Sequence, residues 1–394
     1  MQMIYFDNSA TTALCPAARE AMLHAMDEVW GNPSSRHAMG TAAHTILKKA
    51  REQVLSALGV RGGKDENLIF TASGTEADNL AILGTMRAKK ALHGGKIITS
   101  DSEHPAVLRT VEALEAEGFR AAYISTRHGV FDMEQFRREM TRDTHLVTVM
   151  LVNNETGAVN DIRAISEYAK SVNPDCIVHT DAVQGFLKIP FTPTSLGADL
   201  VTVSAHKIHG PKGVGALYVS PYMVKRRAVS PIIFGGGQEG GFRSGTENLP
   251  GIAGFGAAAA AQSASLEQDI AAMTSLRDRL PAMLADDPIL SDIAVNIPQS
   301  KERAPHIVSL RMPKIKSETM LNFLSGKGIA VSSGSACAAQ SGRISSALLC
   351  FGLTEAEADT TLRISLCAQN TEEELVAFCD ALRPGIKMLA RMKR

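Results

Sequence analysis

Short apolar runs recur along this chain between longer amphipathic stretches, and that alternation restricts the possible folds more than any other feature. Strands are expected at Asn67–Thr71, Lys96–Thr99, Leu146–Val152, Cys176–His179, Leu200–Ser204 and Gly215–Val219. Several of these are apolar on both faces, as strands buried inside a sheet are. The stretch Thr75–Leu92 has Leu80, Leu83 and Met86 at a spacing of three, which predicts a helix. Strand and helix signals in this order predict an α/β fold with a central, mainly parallel sheet flanked by helices. Beyond the glycine-rich region 235–256 the pattern changes. A helical segment over about 256–286 leads to short strands at His306–Arg311, Ile329–Val331 and Thr361–Leu366. The closing helix begins at "TEEE", where Thr371 and Glu374 have capping-box spacing. A chain of 394 residues predicts about two domains. The expected division is a large domain over 15–260 and a smaller α+β domain made of 1–14 with 261–394.

The ends of the central strands carry polar clusters. One strand runs into Asn153-Asn154-Glu155, another into Thr180-Asp181 and Gln184, and a third into Ser204-His206-Lys207. A fourth is followed by "SDSEHP", with His104. Ligands of open α/β sheets bind outside the carboxyl ends of the strands, so these clusters are expected to form one site. Each piece alone has an ordinary reading: Asp181 as a helix cap, His104 as a loop histidine, Lys207 as a solvated lysine. Together they suit pyridoxal phosphate, which needs a lysine, an acid facing its ring nitrogen and a cradle for its phosphate. Asp181 and Lys207 supply the pair. The tetrapeptide SGTE, at 73–76 and again at 244–247, is the kind of hydroxyl- and glycine-rich stretch that holds an anion where it enters a helix. Two such stretches could serve two phosphates, serve one from opposite sides, or be a coincidence of common residues.

Composition removes other classes. Lys+Arg and Asp+Glu both number 41, which gives no electrostatic reason to expect nucleic acid or an anionic membrane as partner. The start, "MQMIYFDNSATT", lacks the charged and apolar regions of a secretory signal. The most apolar stretch, "GIAGFGAAAAA", is too short to span a bilayer and reads as part of a packed helix. The six cysteines, at 15, 176, 337, 350, 367 and 379, include no C-x-x-C pair, so no zinc or other metal site is expected. The expectation is a cytoplasmic chain with reduced thiols.

The segments "YFDNSATT", "GNPSSRHAMG", "SGTEADN", "SEHPAVL", "NNETGAV", "HTDAVQ", "SAHKIHGPKGVGALYV", "GGGQEGGFRSGTEN" and "SSGSAC" follow one another from residue 5 to residue 337. In this the chain resembles the cysteine desulfurases of the NifS/IscS-like group, within the class V aminotransferase-type, fold type I pyridoxal phosphate enzymes. The resemblance implies a homodimer that takes sulfur from L-cysteine, releases L-alanine and leaves a persulfide on Cys337. That sulfur would pass to an acceptor protein, for iron–sulfur clusters or other sulfur-containing products. Lys207 would be the Schiff-base lysine, Asp181 the partner of the ring nitrogen, His104 the residue that stacks on the ring and assists proton transfer, and Gln184 the neighbour of its phenolic oxygen. Gly74, Thr75, Ser204 and His206 would hold the phosphate, and Thr246 would reach the phosphate bound to the other subunit. Asn154 and Arg363 would hold the substrate carboxylate, a task that suits a planar guanidinium. The small, flexible surroundings of Cys337 offer little to bury its thiol with.

Three departures from the group's pattern stand out. Pro105 follows His104 where a lysine is common, Cys367-Ala368-Gln369 stands where Gly-Arg is frequent, and "AAQSGRISSALLCFGL" after Cys337 is unlike the housekeeping form. A selenocysteine lyase or another class V lyase or aminotransferase is the alternative within enzymes, and a non-catalytic assembly scaffold the alternative outside them. The presence of both Lys207 and Cys337 disfavours the scaffold.

Overall fold

The computed structural model describes residues 3–88, 94–334 and 344–389; Cys337 lies outside them. The strands are β1 (Ile4–Tyr5), β2 (Leu68–Thr71), β3 (Lys96–Ser100), β4 (Arg120–Ile124), β5 (Thr144–Thr148), β6 (Ile177–Asp181), β7 (Leu200–Ser204), β8 (Gly215–Val219), β9 (Ala294–Val295), β10 (Ile307–Arg311), β11 (Ile329–Ala330) and β12 (Thr361–Ser365). Seven of them form one sheet in the order β2-β8-β7-β6-β5-β3-β4. The pairings among β3 to β7 are parallel, and β8 is antiparallel to both of its neighbours. Every residue of β2, β6, β7 and β8 is buried, which accounts for their unbroken apolar runs. The chain leaves β3 outward to β4 and returns on the other side of β3 as β5. Such a reversal opens a crevice at the strand ends.

Helices cover both faces. The helix Gly74–Ala88 crosses one face, burying Leu80, Ala81 and Met86. On the other, helix Ala38–Ala57 packs on the alanine-rich helix Leu249–Ala264 so closely that a Cβ on Gly256 would lie 2.6 Å from Ala50 Cα. The expected single helical segment over 256–286 is two helices, Leu249–Ala264 and Leu266–Ala285, parted at Ser265. The Ser265 hydroxyl donates to Asp269 Oδ2 at 2.8 Å, giving the second helix a separate start. The expected strand 146–152 is also displaced. Its ladder runs over 144–148, and the apolar residues beyond it pass under the crevice, held by Val149 N–H to His179 O and Leu151 N–H to Asp181 O.

A second core gathers Phe6 with residues from Met273 to Leu382 around the antiparallel sheet β12-β10-β9. Helices Ser317–Ser325 and Glu372–Leu389 belong to it, and the latter starts with the expected reciprocal bonds between Thr371 and Glu374. The amino-terminal segment links the two cores. β1 pairs with β11, Asn8 N–H reaches Ser365 O, and Thr12 N–H reaches His206 O. No helix among the described residues is long and apolar enough to cross a membrane.

One buried ion pair fixes the glycine-rich segment against the sheet. Arg51 and Glu239, 7% and 2% exposed at their side chains, form two parallel bonds of 2.8 Å. Glu239 also accepts from Phe70 N–H at 2.8 Å, and the Arg51 guanidinium lies 4.8 Å from the Phe70 ring centre. Removing one partner leaves an uncompensated buried charge. Glu239→Ala is therefore expected to lower the unfolding free energy, read by urea titration, by roughly 3–5 kcal/mol. A loss below about 1 kcal/mol, typical of exposed pairs, would contradict this.

Candidate active site

The crevice at the strand ends contains a cavity of about 280 Å³. Gly74, Thr75, Ser204, His206 and Lys207 line it from one side, and His104, Asn154, Asp181, Gln184 and Arg363 complete it. Ten of the residues expected from the sequence thus meet in one place. Thr246 is exposed and does not line the cavity, and Cys337 is outside the described residues.

Lys207 enters from the turn after β7. Its Nζ donates to the carbonyls of Ser9 and Ala10, at 2.7 Å each. Asp181 ends β6, where its Oδ1 accepts Val183 N–H at 2.9 Å. Burial pushes its carboxyl up to about 6, with the Val183 bond and the Lys207 ammonium pulling the other way. A cationic ring nitrogen beside Asp181 would restore its full charge. His104 caps the helix Pro105–Ala116: its Nδ1 accepts Ala106 N–H at 3.1 Å, so Nε2 carries the ring proton. Burial, then Lys207, lowers His104 to about 4, and the imidazole is neutral at ordinary pH. The proline after His104 fits this geometry, since the first helical position needs no N–H.

The floor holds a further acid that the sequence did not single out. Asp78 lines the cavity one turn beyond Gly74, where helix periodicity places it on the same face. Burial first, and Asp181 second, raise its carboxyl well above the usual range. Beneath it His179 is fully buried, with Nδ1 2.8 Å from Thr148 Oγ1 and Nε2 3.0 Å from Thr202 Oγ1. Ser9 and Ala10 were also missed, because they act through backbone carbonyls that no residue type advertises.

The phosphate cradle can be tested on its own atoms. Ser73 caps the helix Gly74–Ala88 by taking the Glu76 and Ala77 amides. Those of Gly74 and Thr75 have no partner inside the helix. A Cβ on Gly74 would lie 2.9 Å from a Val183 methyl, so the backbone approaches the cavity only because this residue is glycine. The Ser204 hydroxyl is buried without a hydrogen-bond partner. The amides at the start of the helix Gly74–Ala88, an orphaned hydroxyl and His206 in the short turn after β7 fit a phosphate, and Lys207 with Asp181 fits the rest of pyridoxal phosphate. The second SGTE has no such setting, because its helix begins only at Leu249 with Asn248 as cap. It lies close to the first, however: Arg243 Nε donates to Glu76 Oε1 at 2.8 Å.

Arg363, on β12, is 2% exposed. It donates to Asn154 O at 2.8 Å and to Asp7 Oδ1 at 3.0 Å, while its Nε–H has no partner. A guanidinium with one N–H free beside Asn154 can receive a carboxylate.

A family model described as "Aminotransferase class-V" matches residues 4–378. The chain belongs to the class-V aminotransferase family. A relative named "Cysteine desulfurase" from Trichormus azollae is 40% identical over 95% of this chain and 90% of its own. A solved structure titled "NIFS-LIKE PROTEIN" superposes with a TM-score of 0.90 at 35% identity, covering 98% of this chain and all of that one. Another, "SspA in complex with cysteine", has a TM-score of 0.78 at 32% identity and covers 93% of this chain and all of its own. The fold shared with these structures is the α/β arrangement described above, a mostly parallel seven-stranded sheet flanked by helices.

His179 gives the site a pH signature. Unfolded, a histidine takes up a proton near pH 6.5. Burial holds folded His179 down at about 3. Between these values the unfolded state binds more protons, so stability falls as the pH is lowered. Measured against His179→Gln, the wild type should lose stability as the pH drops below about 6, approaching about 1.4 kcal/mol per pH unit. A difference that stays constant with pH would contradict this.

Proposed function

We propose that the chain is a cysteine desulfurase, a pyridoxal phosphate-dependent sulfurtransferase that converts L-cysteine to L-alanine and carries the sulfur on Cys337. The observation that carries this reading is the meeting of Lys207, Asp181, His104 and Arg363 in one cavity beside the Gly74–Thr75 helix start and the Ser204 hydroxyl. Pyridoxal phosphate, when bound, supplies the electron sink that makes the α-proton of an amino acid removable. Gly74, Thr75, Ser204 and His206 would hold its phosphate, Asp181 would keep the ring nitrogen protonated, Gln184 would serve the phenolic oxygen, and His104 would stack on the ring. Arg363 and Asn154 bind the substrate carboxylate, which orients the α-carbon toward Lys207. The Nζ of Lys207, released from the Ser9 and Ala10 carbonyls, takes the α-proton and returns a proton on the other side of the reaction. Cys337 acts as thiolate on the substrate sulfur. An S–S bond forms, the C–S bond breaks with its electron pair left on carbon, and protonation there releases alanine.

The same reading takes 15–260 as the cofactor-holding body and 1–14 with 261–394 as the smaller body that carries the cysteine. It also takes the protein as a cytoplasmic homodimer that delivers sulfur to an acceptor protein, in the supply of iron–sulfur clusters or similar products. Five thiols, those of Cys15, Cys176, Cys350, Cys367 and Cys379, are unbridged, as in a reducing compartment. Exposed Thr246, off its own cavity, suits a contact with the phosphate bound by the partner subunit. Two SGTE stretches then serve one phosphate from two chains.

Purified protein loaded with pyridoxal phosphate should give equal amounts of sulfide and alanine from L-cysteine and a thiol reductant. Cys337→Ser should keep the cofactor's colour and release no sulfide. Arg363→Gln should lower kcat/KM roughly 10- to 100-fold, the worth of a hydrogen bond to a charged group. No sulfide from coloured wild type would overturn the desulfurase reading.

A further inference from the structure

The polar contacts of Gln184 continue out of the cavity into the second core. His306, just before β10 and 1% exposed, places its Nε2 3.3 Å from Gln184 Oε1. On its other side the Gln184 amide nitrogen lies 2.9 Å from Ser9 O. A backbone carbonyl can only accept, so the group facing Ser9 is the NH₂ and the group facing His306 is the oxygen. His306 must then be the donor, through Nε2–H. We propose that His306 is a positioning residue for Gln184, locking its amide so that one N–H bonds Ser9 and the second is free for the cavity.

Three features of the surroundings agree with this arrangement. His306 Nδ1 is buried without a partner, as the bare nitrogen of an Nε2–H tautomer would be. Burial, followed by the positive charges of Lys188, Arg363 and Arg277, holds His306 well below the usual histidine range, so the ring is neutral and has a single N–H to give. The backbone of this segment is itself fixed, with Leu366 N–H to His306 O and Ala304 N–H to Gly157 O at 2.8 Å each. Ser9 O also receives Lys207 Nζ at 2.7 Å, so Gln184 and Lys207 share one anchor. Losing the His306 donor would strand a buried amide oxygen and free the side chain to turn.

The inference rests on the desulfurase reading only for what the free N–H meets, the phenolic oxygen of the cofactor. Two measurements separate the parts. Nitrogen-15 NMR of the cofactor-free wild type should show His306 as the neutral Nε2–H tautomer, unchanged between about pH 6 and 9. An Nδ1–H tautomer would overturn the proposal. In the loaded protein, the acid form of the cofactor keeps its proton beside the phenolic oxygen, and a donor from Gln184 competes with it. His306→Leu should therefore raise the pH midpoint of the visible absorbance band by about half to one unit. It should also lower kcat with KM held within about twofold. His306→Gln, whose amide N–H reaches the position of Nε2, should recover most of both effects. A role limited to packing would weaken folding and leave the midpoint in place, and an unchanged midpoint with unchanged kcat in His306→Leu would refute the assignment. Wild type that takes up no pyridoxal phosphate would sink the functional reading alone, with the tautomer still deciding the His306–Gln184 contact.

Discussion

The carbonyls of Ser9 and Ala10 hold the ammonium group of Lys207, and much of the molecule is arranged around that contact. The segment from Ile4 to Thr12 has almost no regular structure of its own. It is held by β11 on one side, by Ser365 on another and by the backbone of His206 at its end. Asp7 in the same segment bonds Arg363. A few residues from the start of the chain thus join the second core to the sheet and meet both the lysine and the guanidinium of the site. The segment is one of several links between the cores, beside Arg363 to Asn154 O at 2.8 Å and Ala304 N–H to Gly157 O at 2.8 Å.

The electrostatics of the cavity depend on burial more than on pairing. Burial raises Asp78, Asp181 and Glu103, the last to about 8, and lowers His104, His179 and His206 to about 4 or below. The histidines are therefore neutral donors and acceptors, and the acids take up a proton more readily than exposed carboxylates do. Lys207 adds a positive charge near Asp181 and His104. A ligand that brings a phosphate and a ring cation supplies the charges this environment favours, at the cradle and at Asp181 respectively.

Much of this was legible in the sequence, for physical reasons that also explain the gaps. β7 and β8 were placed to the residue because their apolar runs are bounded by polar ends and both faces are buried. β5 was placed too late because Met150 and Val152 are apolar for lining the cavity, and a run of buried residues does not say where a ladder stops. Lys207, Asp181, His104 and Arg363 were legible as chemical types at strand ends or in a matching motif. Ser9 and Ala10 were not, since a carbonyl has no residue identity. Asp78 could have been found from its helical spacing with Gly74. His306 could not, because its partner Gln184 lies 122 residues away with no local pattern to join them.

The central claim is that Lys207, the lysine that lines the cavity among the described residues, is the one that bonds pyridoxal phosphate. The most direct test is to load the protein with that cofactor, reduce it with borohydride, digest it and locate the labelled residue by mass spectrometry. The account predicts the label on Lys207, with Lys207→Ala unlabelled and colourless. A label on another lysine, or one spread among several surface lysines with Lys207 bare, would contradict it.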